Sequence, residues 1–270
     1  MSGLLSQVRK LNGLGDRAIA EPFAGGAGAS LSLLYLEDAP SVYINDADPA
    51  IHAFWWSVVN RPGAFQELLS KSPINMAEWR RQRDVYRDSG RVSRVRRGFA
   101  AFYLNRCNRS GIIVNGGPIG GIGQEGRWRL DARFNKLDLH RRCARIAEYR
   151  ERIHVSGTDG LKFIRQLDAK STFFFIDPPY FEKGPMLYLN ALNDDYHSAL
   201  ADLLKATTNA GWVLTYDDCD RIRELYSDWA TVRPFSLRYA AAERRRGTEL
   251  LIAPLWMRLP KLQESTALEW

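Results

Sequence analysis

A continuous apolar run, Phe173-Phe174-Phe175-Ile176, leads directly into the tetrapeptide Asp177-Pro178-Pro179-Tyr180. A short run without polar interruptions is typical of a strand that is buried on both faces of a parallel sheet. The two prolines stiffen the chain as it leaves that strand, because proline fixes φ and has no N–H to pair within a sheet. We therefore expect a central parallel strand with an acid and an aromatic side chain just beyond its carboxyl end.

Other apolar runs with β character are well separated along the chain. They lie at residues 18–23, 42–44, 153–155, 212–216, 231–239 and 249–256. Helical patterns lie between them at residues 29–36, 49–59, 137–150 and 194–206. Strands that alternate with helices predict βαβ units and a doubly wound, Rossmann-like α/β sheet. The last two runs lie close together around the basic segment 243–247 and predict a terminal antiparallel hairpin.

The region 62–133 breaks this alternation. From residue 80 to residue 109 there are ten arginines and only two acids, and a glycine-rich stretch follows at residues 111–126. These features predict an inserted helical subdomain followed by a loop or a hairpin, with residues 1–61 and 134–270 forming the main domain. A solvated helix face usually mixes charges of both signs, so the arginine excess favours contact with nucleic acid.

The composition is that of an ordinary globular protein, with 45% hydrophobic and 26% charged residues among 270. The net charge is +7, and 30 of the 38 cationic residues are arginines, which bind phosphate and guanine edges with two hydrogen bonds. The three cysteines have no CxxC spacing and the four histidines no metal-binding spacing, so we expect reduced thiols and no metal site. Without an apolar run of membrane-spanning length or a recognisable signal sequence, we expect a cytoplasmic protein.

A glycine-rich turn follows the first predicted strand, in the segment Glu21–Ser30. Glycines at such a turn let the backbone approach a nucleotide-like ligand, and the next helix offers its N-terminal N–H groups. Asp46 follows the next strand, 18 residues beyond Gly28, where an acid can accept hydrogen bonds from ribose hydroxyls. Alternatively, Asp46 caps the helix that begins at Pro49, although Asp48 fills that role more naturally. The turn and the acid together favour an adenosine-containing cofactor.

The tetrapeptide at residues 177–180 lies at the carboxyl end of its strand, where ligands bind in open α/β folds. Asp177 is placed to accept a hydrogen bond from an amino group, and Tyr180 is placed to stack on a planar base. Two prolines at a strand end can also serve only to end the strand. The acid before them and the aromatic residue after them favour a chemical role.

These motifs resemble those of the Dam-like, D12 class of adenine-specific DNA methyltransferases. The matching segments, in the order of the family, are Pro22–Gly28, Asn45-Asp46, Phe102–Arg106 with Ser110-Gly111, Arg133–Lys136, Gly157–Asp159 and Asp177–Tyr180. The basic stretch 244–251 resembles the final hairpin of the family. The resemblance extends from about residue 20 to residue 256. It implies a Rossmann-like methyltransferase sheet with an inserted DNA-recognition subdomain.

The resemblance implies S-adenosylmethionine as the cofactor. It assigns cofactor binding to Glu21, Pro22, Phe23, Ala24, Gly25, Gly26, Gly28, Asp46, Thr158 and Asp159. Among these residues, Asp46 would take the ribose hydroxyls, and Asp159 would lie beside the adenine of the cofactor with Thr158 next to it.

For the substrate, the resemblance implies an adenine that leaves the duplex stack, because its amino group is otherwise paired. Asp177 and the carbonyl of Pro178 would accept hydrogen bonds from that amino group. Pro179 completes the catalytic tetrapeptide, and Tyr180 would stack on the ring. Direct in-line transfer needs neither a covalent enzyme intermediate nor a metal.

Double-stranded DNA is the implied partner, a restriction-system partner is compatible with it, and no membrane is expected. The candidate DNA contacts are Arg94, Arg97, Asn105, Arg106, Arg109, Ser110, Arg127 and Arg129.

Two features depart from the family pattern. Family members begin with a glycine-lysine loop that helps to close the cofactor pocket, whereas this chain starts at Met1-Ser2-Gly3-Leu4-Leu5, apparently just past it. The segment 116–121 is also unusually rich in glycine for a recognition hairpin. The first departure leaves open a degenerate methyltransferase fold that binds DNA, or a partner subunit, without turnover. The same type of tetrapeptide would also serve a methyltransferase that acts on another amino group in RNA or protein, so this second alternative stays open as well.

Overall fold

A computed structural model of the chain describes residues 1–88, 90, 92–181, 192–207, 209–236 and 248–261. Its strands are β1 (Ala18–Glu21), β2 (Val42–Asn45), β3 (Ile153–Ser156), β4 (Thr172–Ile176), β5 (Gly211–Asp217), β6 (Ala230–Ser236) and β7 (Thr248–Pro254). They form one seven-stranded sheet in the order β3-β2-β1-β4-β5-β7-β6. Strands β2, β1, β4 and β5 run parallel, and β7 pairs antiparallel with both β5 and β6. The predicted doubly wound sheet with an antiparallel end is confirmed.

The helices within the described residues are α1 (Ser2–Leu11), α2 (Gly28–Tyr35), α3 (Pro49–Asn60), α4 (Pro62–Lys71), α5 (Met76–Arg87), α6 (Arg94–Cys107), α7 (Lys136–Glu148), α8 (Gly160–Gln166), α9 (Asp194–Ala206) and α10 (Asp220–Tyr226). The chain divides into two compact units. The first unit contains residues 1–45 and 158–270, and the second contains residues 46–157.

The second unit is longer than the insertion expected at residues 62–133, because it also includes α3, α7 and β3. Helix α3 packs closely against α6 within this unit. A Cβ added at Gly98 of α6 would lie 2.5 Å from the carbonyl oxygen of Ala53 in α3. The helix that follows β2 therefore packs with the inserted helices.

The core of the first unit is built around the central strands. Every residue of β4 and β5 is buried, as the apolar run at residues 173–176 predicts for β4. Helix α9 covers these strands with Leu200 and Leu204, in the same cluster as Phe174 and Trp212. In the terminal hairpin, β6 pairs with β7 from Ala230 and Pro254 to Ser236 and Thr248. The connecting basic segment 243–247 lies outside the described residues.

The core of the second unit is aromatic. Phe54, Phe65, Phe99 and Phe102 contact one another with ring centroids 5.4 to 6.2 Å apart. After α6, a short 3-10 turn (Arg109–Gly111) leads into the glycine-rich stretch, which contains further turns rather than two paired strands. Across the described part of the chain, no helix combines the length and the apolar character needed to cross a membrane.

Candidate active site

Asp177 directly follows β4, at the carboxyl end of the parallel strands. Because Ile176 pairs with Leu214 in the register of β4 and β5, the next residues, Asp177 and Thr215, lie side by side. The hydroxyl of Thr215 donates a hydrogen bond to Asp177 Oδ1 over 2.6 Å. Asp177 reaches solvent, yet desolvation by the surrounding protein raises its pKa to about 6; the Thr215 hydrogen bond opposes the rise, and Glu249 adds to it. An acid with this pKa is mostly ionised at neutral pH and can accept further hydrogen bonds.

The rest of the tetrapeptide leaves the sheet along a short irregular segment. Pro178 is buried, whereas Pro179 and Tyr180 are half-buried. The N–H of the next residue, Phe181, donates a hydrogen bond to Asp217 Oδ1 over 3.0 Å. Side chains of β5 therefore contact the segment at its first residue and just beyond its last.

The glycine-rich turn after β1 opens towards solvent. Its two backbone positions with positive φ are Gly25 (+46°) and Ala27 (+44°). Gly25, Gly26 and Gly28 are exposed, and a Cβ added at any of them would meet no atom within 4 Å. Helix α2 begins at Gly28, and Ala27 is its N-cap residue. The Ala27 side chain makes no capping hydrogen bond to the first N–H groups of the helix. The turn thus presents backbone and the start of a helix to an open space that a ligand can enter.

Glu21, at the end of β1, lies behind this turn rather than at its surface. The residue is 4% exposed. Its carboxylate accepts a hydrogen bond from the N–H of Ser30 over 2.8 Å and another from the Ser30 hydroxyl. Burial raises the pKa of Glu21 to about 7; the Ser30 hydrogen bonds oppose this rise, and the charge of Asp177 adds to it. Glu21 therefore fixes the first turn of α2.

Asn45, at the end of β2, joins two loop segments of the first unit. Its buried side-chain amide donates to the carbonyl oxygens of Pro22 (2.8 Å) and Thr158 (2.9 Å). Its Oδ1 accepts the N–H of Thr158 over 3.0 Å. The backbone oxygen of Asn45 also accepts the N–H of Ala24 over 2.9 Å. The start of the glycine-rich turn and the loop before α8 are therefore held together.

Asp159 lies beside that loop and caps α8, with Oδ1 accepting the N–H of Lys162 over 3.0 Å. Its other oxygen accepts the hydroxyl of Tyr196 over 2.7 Å. The ring of Tyr196 meets Phe23 edge-on, with centroids 6.3 Å apart. Gly160 lies under Phe23, since a Cβ there would come 2.5 Å from that ring. Phe23, Thr158 and Asp159, all predicted cofactor residues, thus share one neighbourhood.

Asp46 belongs to the second unit. Its Oδ1 accepts the N–H of Asp48 over 2.9 Å. Asp48 caps α3 by accepting the N–H of Ala50 over 2.7 Å, as expected for the residue before Pro49. The capping role therefore falls to Asp48.

The candidate DNA contacts on α6 form two groups at its opposite ends. Arg94 and Arg97 lie in its first turn, and together with His52 of α3 they line a cavity of about 370 Å³. The guanidinium of Arg94 lies over the ring of Trp56, 4.5 Å from its centroid. Arg106 lies in the last turn, roughly 18 Å further along the helix axis.

The second group lies at the carboxyl end of α6 and in the turn that follows. Asn105 Nδ2 donates to the carbonyl oxygen of Gly111 over 2.9 Å, and Asn105 Oδ1 accepts hydrogen bonds from Arg106. Arg109 and Ser110 are exposed in the 3-10 turn. Burial lowers the pKa of Arg106, and the neighbouring cation Arg133 lowers it further. Such a cluster of cations favours an anionic ligand.

The remaining predicted contacts directly follow the glycine-rich stretch. Arg127 and Arg129 are exposed, and Trp128 between them is 64% exposed. The guanidinium of Arg127 lies 5.5 Å from the centroid of the Trp128 ring.

Among the described residues, no group of three or more histidine, cysteine, aspartate or glutamate side chains could hold a metal ion.

A family model described as "D12 class N6 adenine-specific DNA methyltransferase" matches residues 3–243. The chain belongs to this family. It is therefore an adenine-specific DNA methyltransferase, an enzyme that uses a methyl donor and acts on DNA.

None of the curated proteins compared with this methyltransferase matches it. Among solved structures, the crystal structure of Thermoplasma acidophilum 1320 is similar, with 11% sequence identity and a TM-score of 0.39. The alignment covers 93% of this chain and 85% of that one.

Within each unit, several residues that hold predicted site segments in place have no recognisable pattern of their own in the sequence. In the first unit, Thr215, Asp217 and Tyr196 contact the predicted site residues. In the second unit, the buried Asn108 accepts the indole N–H of Trp79 over 2.7 Å. Asn108 also donates to the carbonyl oxygen of Ile112 over 2.7 Å, which anchors the start of the glycine-rich stretch.

Proposed function

We propose that this methyltransferase transfers a methyl group from S-adenosylmethionine to the exocyclic amino group of adenine in double-stranded DNA. The observation that carries the proposal is the placement of Asp177. Its carboxylate lies at the carboxyl end of β4, reaches solvent, and has one oxygen held by Thr215. A carboxylate has several acceptor positions, so it can also accept an N–H from an adenine amino group.

The residues of the tetrapeptide act on the adenine after it has left the duplex stack. Asp177 and the carbonyl oxygen of Pro178 accept the two amino hydrogens. These bonds draw the nitrogen towards tetrahedral geometry and free its lone pair for attack. Tyr180 stacks on the ring and fixes its plane, and Pro179 restricts the chain between them. The residues therefore contribute orientation and electrostatic stabilisation.

The residues around the glycine-rich turn fit an adenosine-containing methyl donor. The open space over Gly25, Gly26 and Gly28 admits a ligand against the backbone. Asp159, with Thr158 beside it, would accept hydrogen bonds near the adenine of the cofactor, and the role of Asp46 towards the ribose rests on the family resemblance alone. When bound, S-adenosylmethionine would supply the electrophilic methyl group: the adenine nitrogen would attack it in line as the carbon–sulfur bond breaks, and the nitrogen would then lose one of its protons.

The DNA duplex is bound by the arginine-rich second unit. The exposed guanidiniums of Arg94, Arg109, Arg127 and Arg129 suit phosphate groups and base edges, and Arg97 and Arg106 are half-buried. We propose that target recognition resides in residues 62–133 and that the rest of the chain forms the catalytic domain. The cytoplasmic location and the restriction-system partner stay predictions from the sequence.

The first experiment compares wild type, Asp177→Ala and Asp228→Ala in a methyl-transfer assay with radiolabelled S-adenosylmethionine and duplex DNA. Asp228 is an exposed acid of the same unit and serves as the control. We expect Asp177→Ala to lose transfer with nearly unchanged DNA affinity, and Asp228→Ala to match wild type. Full turnover of Asp177→Ala would contradict the assigned role.

Calorimetric titration with S-adenosylmethionine separates the alternatives. Micromolar binding that is lost in Asp46→Ala supports the proposed pocket. DNA binding without cofactor binding would identify a DNA-binding module instead. Transfer to RNA or protein but not to DNA would identify a different amino group as the substrate.

A further inference from the structure

The catalytic tetrapeptide is anchored by side chains of the neighbouring strand. We propose that Thr215 and Asp217 of β5 are positioning residues: Thr215 aims the carboxylate of Asp177, and Asp217 fixes the chain beyond Tyr180. The inference rests on the proposed role of Asp177 in accepting the adenine amino group.

The register of the sheet brings Thr215 to Asp177. Ile176 of β4 pairs with Leu214 of β5, so the residues that follow them, Asp177 and Thr215, lie next to each other. Thr215 is 1% exposed and Asp217 is 3% exposed. Because successive side chains of a strand alternate between its faces, these two residues project to the same side of β5. One face of one strand therefore contacts both ends of the catalytic segment.

The hydroxyl of Thr215 has one hydrogen and two nearby acceptors. Asp177 Oδ1 lies 2.6 Å away, whereas the carbonyl oxygen of Ile176 lies 3.5 Å away. The shorter distance favours donation to the carboxylate. This bond occupies one oxygen of Asp177 and limits rotation of the carboxylate. In this proposal, the second oxygen is the one that accepts the adenine amino group.

The surroundings of Asp177 make this donor important. Burial by the surrounding protein disfavours its ionised form, and the charge of the buried Glu249 on β7 adds to this effect. The hydrogen bond donated by Thr215 favours the ionised form. Loss of the Thr215 hydroxyl should therefore raise the pKa of Asp177.

Asp217 acts on the other end of the segment. Its Oδ1 accepts the N–H of Phe181 over 3.0 Å. Phe181 immediately follows Tyr180, so this bond restrains the backbone next to Tyr180 and with it the orientation of the Tyr180 ring. An asparagine at position 217 keeps a side-chain oxygen for this bond, whereas leucine does not.

The test measures kcat, KM and the pH profile of methyl transfer for Thr215→Val, Thr215→Ser and wild type. Valine has nearly the same shape as threonine but no hydroxyl, and serine keeps the hydroxyl. We expect valine to lower kcat by about 100-fold with KM values within about twofold of wild type, because misdirected reacting groups chiefly slow the chemical step. The acidic limb of the profile should move to higher pH. Serine should restore both properties.

The same assay applied to Asp217 uses asparagine and leucine. We expect Asp217→Asn to retain most of the wild-type kcat and Asp217→Leu to lose at least about tenfold. Equal kcat for leucine and asparagine would overturn the role of Asp217.

If Thr215→Val does not fold, Thr215→Ala with Thr215→Ser as its partner gives the same comparison.

A measurement without turnover separates this inference from the proposed function. Carbon-13 NMR titration of the Asp177 carboxyl, assigned by its loss in Asp177→Asn, reports the pKa directly. A higher pKa in Thr215→Val than in Thr215→Ser supports the hydrogen bond even if wild type transfers no methyl group to DNA, a result that overturns the proposed function alone. An unchanged pKa, or an active Thr215→Val enzyme with wild-type kcat, overturns the positioning role.

Discussion

Replacing Asn45 with leucine removes an amide that joins two loop segments of the first unit. The side chain donates to the carbonyl oxygens of Pro22 and Thr158 and accepts the N–H of Thr158. Each buried polar group left unsatisfied costs about 1–3 kcal/mol. Thr158 is half-buried, so water can replace part of its lost bonding, whereas Pro22 is buried. We therefore expect the free energy of unfolding to fall by about 2–4 kcal/mol.

The functional consequence of Asn45→Leu should be confined to the cofactor. Both loop segments carry proposed cofactor-binding residues, so their displacement should weaken S-adenosylmethionine binding by about tenfold or more, or at least about 1.4 kcal/mol. Isothermal titration calorimetry measures this affinity, and fluorescence anisotropy with a labelled duplex measures DNA binding. DNA affinity should stay close to that of wild type.

Asn108→Leu is the matched control, because Asn108 is also buried and also anchors a loop, but in the second unit. We expect the reverse pattern for this variant: weaker DNA binding and unchanged cofactor binding. Circular dichroism verifies that both variants are folded. Cofactor affinity of folded Asn45→Leu within twofold of wild type would refute the reasoning, and so would equal losses of both affinities in both variants.

Three further predictions concern the pH profile, helix packing and the exposed tryptophan. Methyl transfer assayed from pH 5 to 8 should decline as the pH falls through about 6, because protonated Asp177 is a poorer acceptor; a flat profile contradicts this ionisation. Gly98→Ala should lower the thermal stability by about 1–3 kcal/mol, because its Cβ would lie 2.5 Å from a backbone oxygen of α3, whereas Gly63→Ala, with no atom within 4 Å, should not. Duplex DNA should change the tryptophan emission of wild type but much less that of Trp128→Phe, and identical titrations would exclude contact at Trp128.

The parallel core of the fold was predictable because its signals are local. The apolar run at residues 173–176 became β4 with every residue buried, and the predicted helix at residues 194–206 has the bounds of α9. The extent of the second unit was not predictable in this way. It depends on the close approach of α3 and α6 at Gly98, which lies 45 residues beyond Ala53. A single glycine in a helical pattern carries no sign of the helix that it meets.

The same distinction applies to the candidate site. The tetrapeptide and the glycine-rich turn are contiguous motifs and stand out in the sequence. Their partners come from distant segments: Thr215 lies 38 residues from Asp177, Tyr196 lies 37 residues from Asp159, and Asn45 lies 113 residues from Thr158. Each is a common residue type within an ordinary strand or helix. Only the register of the sheet and the packing of α9 reveal what these residues contact.

Glu21, which the sequence assigned to cofactor binding, also leads to a prediction about the stability of the fold. Burial raises its pKa from the ordinary 4.5 to about 7. We therefore expect the folded protein to hold a proton on Glu21 between these pH values, whereas the unfolded chain has released it. Stability must then fall as the pH rises from 4.5 to 7, by about 3 kcal/mol in total, and stay low above that range.

Glu21→Gln keeps an oxygen that can accept from Ser30 and removes this titration. We expect the variant to gain stability relative to wild type as the pH rises from 5 to 8, measured by urea denaturation at each pH. Glu148→Gln, at an exposed glutamate, should run parallel to wild type throughout. Parallel curves for Glu21→Gln as well would mean that Glu21 is ionised in the folded protein. The negative charge behind Asp177 would then be permanent, and of these two carboxyl groups only Asp177 would titrate in the acidic limb of methyl transfer.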